Sequence, residues 1–185
     1  MLEELKSETA GKMQKSYQSV KRELGTLRTG KASPGLLDGI RVDYHGTVMP
    51  LNQLASISTP EPRLLVVQAW DKSVVGEVVK AIQKADLGLN PLPEGNIIRL
   101  PIPALSEERR KELAKHAKKI AEEGKIAIRN IRREANDNLK KAEKDKDISE
   151  DQLKKGLDDI QELTDKNTKL IDDLVAAKEK DIMEI

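Results

Sequence analysis

Apolar positions along this chain follow two different rhythms. From about residue 3 to 28, Ala10, Met13, Tyr17, Val20, Leu24 and Leu27 recur at spacings of 3, 4, 3, 4 and 3. This is the stripe of a helix packed in a bundle, and Gly30 stands where a C-cap would close it. A second helix starts after Pro101 and Pro103, with Ser106 as N-cap and Glu107 and Glu108 at the positive end of its dipole. Its face is Leu113, Ala117, Ile120, Gly124, Ile128, Ile131, Ala135, Leu139 and Ala142, one unbroken helical period. Gly124 on that face lets another helix approach closely. A third helix opens on Ser149 and Gln152, a capping box, with Ile148 and Leu153 as its hydrophobic staple. Leu153, Leu157, Ile160, Leu163, Leu170, Leu174 and Ile182 carry it onward. Asn167 interrupts this stripe, where a polar residue sets register. No single stripe can be buried alone, so three long helices predict a three-helix bundle.

Residues 31–104 keep a different rhythm. Ile40, Val42 and Tyr44 alternate with Arg41, Asp43 and His45, a half-buried strand. Gly46 turns the chain and Thr47–Leu51 returns. Gln53–Ser58 is a further strand, Thr59–Pro62 a loop, and Leu64–Ala69 a buried strand. Asp71 or Ser73 caps a helix whose Val74, Val75, Val78, Val79 and Ile82 face the sheet. Leu87–Pro91 is a turn region and Asn96–Leu100 the last strand. The fold class is therefore α+β. Residues 1–30 and 105–185 form the bundle, and 31–104 form an inserted domain with one helix on short strands.

Charge sharpens this division. The insert carries 7 basic and 7 acidic side chains, against 26 and 25 in the rest of the 185-residue chain. Cysteine is absent and histidine occurs twice, which excludes disulfides, thiol catalysis and a multi-histidine metal site. The N-terminus lacks the apolar region of a signal peptide, and no apolar run has the length of a membrane span. The expectation is a soluble cytoplasmic monomer without a metal or cofactor. Two linkers join insert and bundle, Thr29–Gly35 and Pro101–Leu105. A paired connection restricts motion to hinge-like rotations. Thr29, Gly30 and Lys31 with Pro101, Pro103, Ala104 and Leu105 are the candidate hinge.

Gly25 to Ala32 matches the phosphate-loop spacing G-x-x-x-x-G-K. Ala32 stands where a hydroxyl should hold magnesium, an amphipathic helix precedes the motif, and Pro34 and Gly35 follow it; the context is wrong for nucleotide binding. His45 beside Gly46 and His116 on a lysine-rich face read as solvated side chains. Carboxylate pairs such as Asp158–Asp159 read as helix surface.

The informative pattern lies on the second helix. With Arg129 at zero on a helical wheel, Lys111, Lys115, Lys118, Lys125, Arg132, Arg133 and Lys140 fall within about 60° of it, and only Glu122 interrupts with an opposite charge. The apolar face centres about 130° away, so this ridge is expected to face solvent. Residues 106–141 carry net +5 and residues 142–185 net −6, so an overall charge of +1 conceals a basic ridge and an acidic helix. Arginine forks on a rigid helix suit a phosphate backbone. A solubilising face paired with the acidic helix fits the pattern equally. The insert lacks the aromatic set of single-strand readers, which favours backbone and shape recognition over base readout. Lys178, on the acidic helix, is expected to change binding little when replaced by Ala.

Several longer motifs carry a resemblance. Leu27-Arg28-Thr29-Gly30-Lys31-Ala32-Ser33-Pro34, Pro50-Leu51-Asn52-Gln53-Leu54-Ala55, Trp70-Asp71, Asp86-Leu87-Gly88-Leu89-Asn90-Pro91, Glu107-Glu108-Arg109-Arg110-Lys111, Ala127-Ile128-Arg129-Asn130-Ile131-Arg132-Arg133-Glu134 and Leu163-Thr164-Asp165 stand in order over essentially the whole chain. Together they closely resemble the bacterial ribosome recycling factor family. The resemblance implies an L-shaped, non-enzymatic translation factor with a bundle arm and a β/α/β arm. It implies that elongation factor G, using GTP, drives subunit splitting and release of messenger and transfer RNA. It also implies contact with large-subunit ribosomal RNA through Arg28, Arg129, Arg132 and Arg133, with Lys118 and Lys125 on the same basic face. His45 replaces a common Tyr and Lys31 a common Arg. Two rival readings remain: a small nucleotide hydrolase using Gly30 and Lys31, and a plain helical scaffold.

Overall fold

The computed structural model describes residues 1–184. They divide into two compact units, one formed by Met1–Arg28 with Glu107–Glu184 and the other by Thr29–Ser106.

The first unit is a bundle of α1 (Leu2–Gly25), α3 (Glu107–Lys144) and α4 (Glu150–Met183), each helix packed against the other two. Helix α2 (Val75–Lys84) belongs to the second unit. Contacts fix the directions. A Cβ at Gly124 would meet Val20, and Lys12 pairs with Glu134 at 2.9 Å, so α1 runs antiparallel to α3. Lys125 pairs with Asp172 at 2.8 Å and Lys118 with Glu179 at 3.9 Å, so α4 is antiparallel to α3 as well. The capping box at the start of α4 is formed: the Ser149 hydroxyl accepts from the Gln152 N–H, and the Gln152 side chain accepts from the Ser149 N–H. Ile148 and Leu153 join one apolar cluster with Leu139 and Ile160, as the staple requires. The chain turns from α3 to α4 through Lys146, at φ 61°.

Two sequence expectations in this unit are corrected. Helix α1 ends at Gly25, not near residue 28, and Gly30 is not its cap. The last turn closes through Thr26 and Leu27: the Thr26 N–H and hydroxyl both donate to the Glu23 carbonyl, at 3.2 and 2.6 Å, and the Leu27 N–H donates to the Leu24 carbonyl at 3.2 Å. The fully buried column of α4 runs through Gly156, Ile160, Thr164, Asn167, Ile171 and Ile182, while Leu153, Leu157, Leu163, Leu170 and Leu174 flank it half-buried. Isoleucines alternate with small or self-satisfied polar residues in the centre, and leucines fill the edges. Asn167 does lie in the seam. Its amide donates to the Leu163 carbonyl at 2.8 Å and reaches the Met13 sulfur on α1 at 3.8 Å.

The second unit begins with Ser33 capping a short turn at Pro34–Leu37 through the Gly35 N–H. A hairpin follows, β1 (Arg41–Tyr44) against β2 (Thr47–Pro50), with Tyr44 opposite Thr47. His45 and Gly46 form its turn at φ 50° and 88°, and the Asp43 carboxylate accepts from the Gly46 N–H at 2.9 Å. Strands β3 (Ala55–Glu61), β4 (Leu64–Ala69), β5 (Leu92–Glu94) and β6 (Ile97–Pro101) make an antiparallel sheet in the order β3-β4-β6-β5. Asp71 caps the turn before α2 through the Ser73 N–H at 2.9 Å. Val74, Val75, Val78 and Ile82 are buried with Val42, Leu65, Val67, Ile98 and Leu100 in one core.

Here too the strand map changes. Thr59–Glu61 is not a loop: β3 continues through it, with the register shifting between Ser58 and Glu61. An edge strand tolerates Pro60 because no ladder bond is asked of its nitrogen. Strand β5 was not expected; its three exposed residues show no alternation of burial. Among the described residues no helix is long and apolar enough to cross a membrane.

Candidate nucleic-acid interface

The basic ridge is built by α3, whose 38 residues are held along one side by α1 and α4. Leu113, Ala117, Ile120, Gly124, Ile128, Ala135 and Leu139 are buried as expected, Ile131 half-buried. That orientation places Arg129 and Arg133 on the exposed side. With about 1.5 Å rise per residue they lie roughly 8 and 14 Å along the helix from Gly124.

The ridge is not a uniform solvated stripe. Lys125 is drawn to α4, where Asp172 takes its ammonium at 2.8 Å, and Glu122 stands 3.8 Å away. Lys118 faces Glu179 of α4. Arg129 donates to Glu122 at 3.2 Å within α3. The expectation that Glu122 alone opposes the ridge is therefore corrected. A helical wheel shows one helix, and the neighbouring acidic helix supplies the other carboxylates. Lys118 and Lys125 form the inner, charge-compensated edge.

Arg132 and Arg133 differ from these. Arg132 is half-buried at the seam and donates from Nη1 to the Gln161 side-chain oxygen at 3.2 Å. Gln161 in turn donates to the Asp165 carboxylate at 2.9 Å. Arg133 is exposed and pairs with no carboxylate among the described residues. Arg129, Arg132 and Arg133 are thus brought together on one rigid segment. Arg28 is not brought to them. It is exposed beyond the end of α1, and because α1 runs antiparallel to α3 it lies toward the Glu107 end of the bundle. Gln161 was missed by sequence reasoning. The only signal for it is its position four residues before Asp165, which says nothing of Arg132.

Lys178, named above as a position of little weight in binding, is not fully exposed. It follows Ile171 by seven residues and precedes Ile182 by four, so it stands in line with the buried column, itself half-buried. Burial pushes its ammonium below the usual lysine range, partly offset by Asp181.

The candidate hinge residues lie in and around the second unit's two chain ends. Gly30 adopts φ 76°, and a Cβ there would stand 3.4 Å from the Leu105 side chain, so the two stretches run side by side. Thr29 and Leu105 are half-buried, Pro103 and Ala104 exposed. Pro101 is the last residue of β6, paired with Leu64, and the Ile102 N–H bonds to the Arg63 carbonyl at 2.8 Å. The irregular stretch therefore begins after Pro101. The phosphate-loop look-alike is no cradle. The Ala32 N–H is spent on the Pro62 carbonyl at 2.6 Å, and a short turn rather than a helix follows Lys31. No group of His, Asp or Glu able to hold a metal ion occurs among the described residues.

A family model described as Ribosome recycling factor matches residues 20–183. The ribosome-recycling factor of Carboxydothermus hydrogenoformans is 54% identical over 185 residues, covering 100% of both chains. That of Bacillus subtilis is 53% identical over the same span, again covering 100% of both. A solution structure of the ribosome recycling factor is similar with a TM-score of 0.78 and 42% identity, covering 100% of this chain and 98% of that one. A second similar structure comes from models of the T. thermophilus ribosome recycling factor and the E. coli elongation factor G bound to the E. coli post-termination complex. Its TM-score is 0.68 and its identity 46%, with 100% of both chains covered.

Proposed function

The chain belongs to the ribosome recycling factor family, and from that membership we propose that it acts with elongation factor G and GTP to dissociate the post-termination ribosome. The products are free subunits, messenger RNA and transfer RNA. The chain works as a cytoplasmic monomer and as a factor rather than an enzyme, with nucleotide chemistry left to its partner. The bundle anchors to large-subunit ribosomal RNA through the basic face of α3. The observation that supports this anchor is the trio Arg129, Arg132 and Arg133, held on one helix with no carboxylate on the last two. Guanidinium forks match phosphate oxygens in pairs, and a stiff helix offers them without ordering a loop. Arg28 adds a separate contact, and Lys118 and Lys125 contribute less because acids of α4 already hold them. The stretches Thr29–Lys31 and Pro103–Leu105, with Pro101 as the fixed end of β6, serve as the hinge between the units.

The test is dissociation of prepared post-termination ribosomes, followed by light scattering. Splitting is expected only when elongation factor G and GTP are both present. Arg132→Ala should weaken large-subunit binding by about 1.5–3 kcal/mol, the range for hydrogen bonds to charged groups. The defect should shrink as salt rises, since ions compete for the same phosphates. Lys180→Ala is the control, because its side chain is 76% exposed and its ion pair is with Glu184 on its own helix. Intact ribosomes under all conditions would overturn the reading.

A further inference from the structure

On the basic face, Lys118, Lys125 and Arg129 each rest against a carboxylate, namely Glu179, Asp172 and Glu122. Arg132 alone of this group rests against a neutral amide. We propose that Gln161 of α4 is a positioning residue for Arg132, holding its guanidinium in a binding-ready pose without cancelling its charge. The proposal rests on the reading of Arg132 as a ribosomal RNA contact.

The chemistry of the chain Arg132–Gln161–Asp165 is directional. A carboxylate only accepts hydrogen bonds, so the amide NH2 of Gln161 must face Asp165, 2.9 Å away. Its carbonyl oxygen is thereby turned toward Arg132, where it accepts from Nη1 at 3.2 Å. Asp165 sits one turn further along α4, so it fixes the amide without touching the guanidinium. One N–H of the fork is engaged and the others remain available. A carboxylate directly on Arg132 would fix it equally well, but an incoming phosphate would then have to displace it. The amide provides the geometry without that competition.

Position makes the arrangement possible. On the α3 wheel Arg132 lies about 60° from Arg129 on the side toward the apolar seam, and its side chain is half-buried there. Its stem is already partly immobilised, and Gln161 immobilises the head. A long side chain ordered before binding loses less rotamer freedom when it binds. Arg129 and Arg133, further out, lack this cross-helix support.

The experiment is titration of large ribosomal subunits at two salt concentrations. The set is wild type, Arg132→Ala, Gln161→Leu, Gln161→Glu and the double variant Arg132→Ala/Gln161→Leu, each with a melting curve. Gln161→Leu should weaken binding roughly two- to tenfold, the range for one side chain left to be ordered on binding. Gln161→Glu should weaken it further, on the order of tenfold, by placing a carboxylate on the guanidinium. Melting should change little, since Gln161 is exposed. In the Arg132→Ala background, Gln161→Leu should add nothing. Relaxation of the Arg132 side-chain nitrogens should report faster motion in Gln161→Leu, which a purely structural role would not produce. If Gln161 variants bind as wild type while Arg132→Ala is defective, the positioning role is overturned and the anchor stands. An undiminished Gln161→Leu effect in the double variant would overturn it too. If Arg132→Ala itself binds as wild type, the anchor falls, and the positioning role with it.

Discussion

The two units bury their cores by different means. The sheet unit closes on aliphatic mass: Val42, Leu65, Val67, Val78, Ile98 and Leu100 are completely buried with no polar side chain among them. The bundle closes on fit. Gly124 and Gly156 sit where helices touch, and Thr9, Thr164 and Asn167 are buried in the same seam. Those three polar side chains need no partner across the interface. Thr9 donates to the Leu5 carbonyl, Thr164 to Ile160 and Asn167 to Leu163, each one turn back on its own helix. The bundle also buries aliphatic mass, with Met13, Ile128, Leu139, Ile160, Ile171 and Ile182 out of solvent, and close approach is added to that bulk. In both units a lost methyl group is a danger; at Gly124 and Gly156 of the bundle an added one is too.

The largest effect should come from removing mass in the sheet unit. Ile98→Ala should cost about 2–5 kcal/mol. If the units are separate in stability, thermal melting by circular dichroism should lose the sheet first and keep most helical signal. One shared transition would break the comparison. The reverse change belongs to the bundle. Gly124→Ala places a Cβ 2.2 Å from a methyl of Val20, and overpacking of this kind costs about 1–3 kcal/mol. Val20 is β-branched and has little freedom to yield. In a Val20→Ala background the same Gly124→Ala should become stabilising, because helix propensity then acts unopposed. Chemical denaturation of the four proteins measures this directly. A smaller loss, about 1 kcal/mol, is expected for Ser149→Ala, which removes the cap of α4 and should leave the sheet unit untouched.

The smallest effects are those of pH, and in the two units they fall at opposite ends of the pH range. In the sheet unit, the Ser73 N–H and then the Tyr44 hydroxyl hold the Asp71 carboxyl below its usual range. Its contribution is present above an ordinary value of 3.8 and lost as pH falls through the lower folded value. In the bundle, Lys178 is shifted down from 10.5 by burial. The unfolded chain then holds the proton more tightly, so stability rises with pH from the folded value up to 10.5 and levels off. Lys6 and Lys12 are shifted up by Asp159 and Glu134, and their contribution is lost at still higher pH. Melting curves of Asp71→Asn and Lys178→Met across pH should flatten the acid and alkaline limbs respectively. An unchanged alkaline limb in Lys178→Met would remove that lysine from the bundle's account.

The legible parts of the sequence are those where the deciding interaction is local. The capping box of α4 is spelled within four residues, and β4 (Leu64–Ala69) opens on the apolar run Leu64–Val67, with exposed Arg63 before it and exposed Gln68 after it. Strand β5 was hidden because three exposed residues are extended only by pairing with β6. The end of α1 was hidden because Thr26, an ordinary helix residue by propensity, gives both its N–H and its hydroxyl to the Glu23 carbonyl while Leu27 takes the next one. At the site, the wheel found Arg129, Arg132 and Arg133 because their facing follows from the period of one helix. It did not find what holds them. Asp172, Glu179 and Gln161 lie dozens of residues away on α4 and reach α3 only through the antiparallel register.

That register also sets where this chain can change length. One residue added to α3 ahead of Arg129 would turn everything after it by about 100° and push it about 1.5 Å along the axis. Arg129, Arg132 and Arg133 would leave their face together, and Arg132 would no longer meet Gln161. The same addition among residues 86–91, between α2 and β5, falls between elements whose pairing is fixed elsewhere. Insertions and deletions among descendants of this gene should therefore collect in the sheet unit's turns. The long helices should drift freely in surface composition while keeping their count of residues.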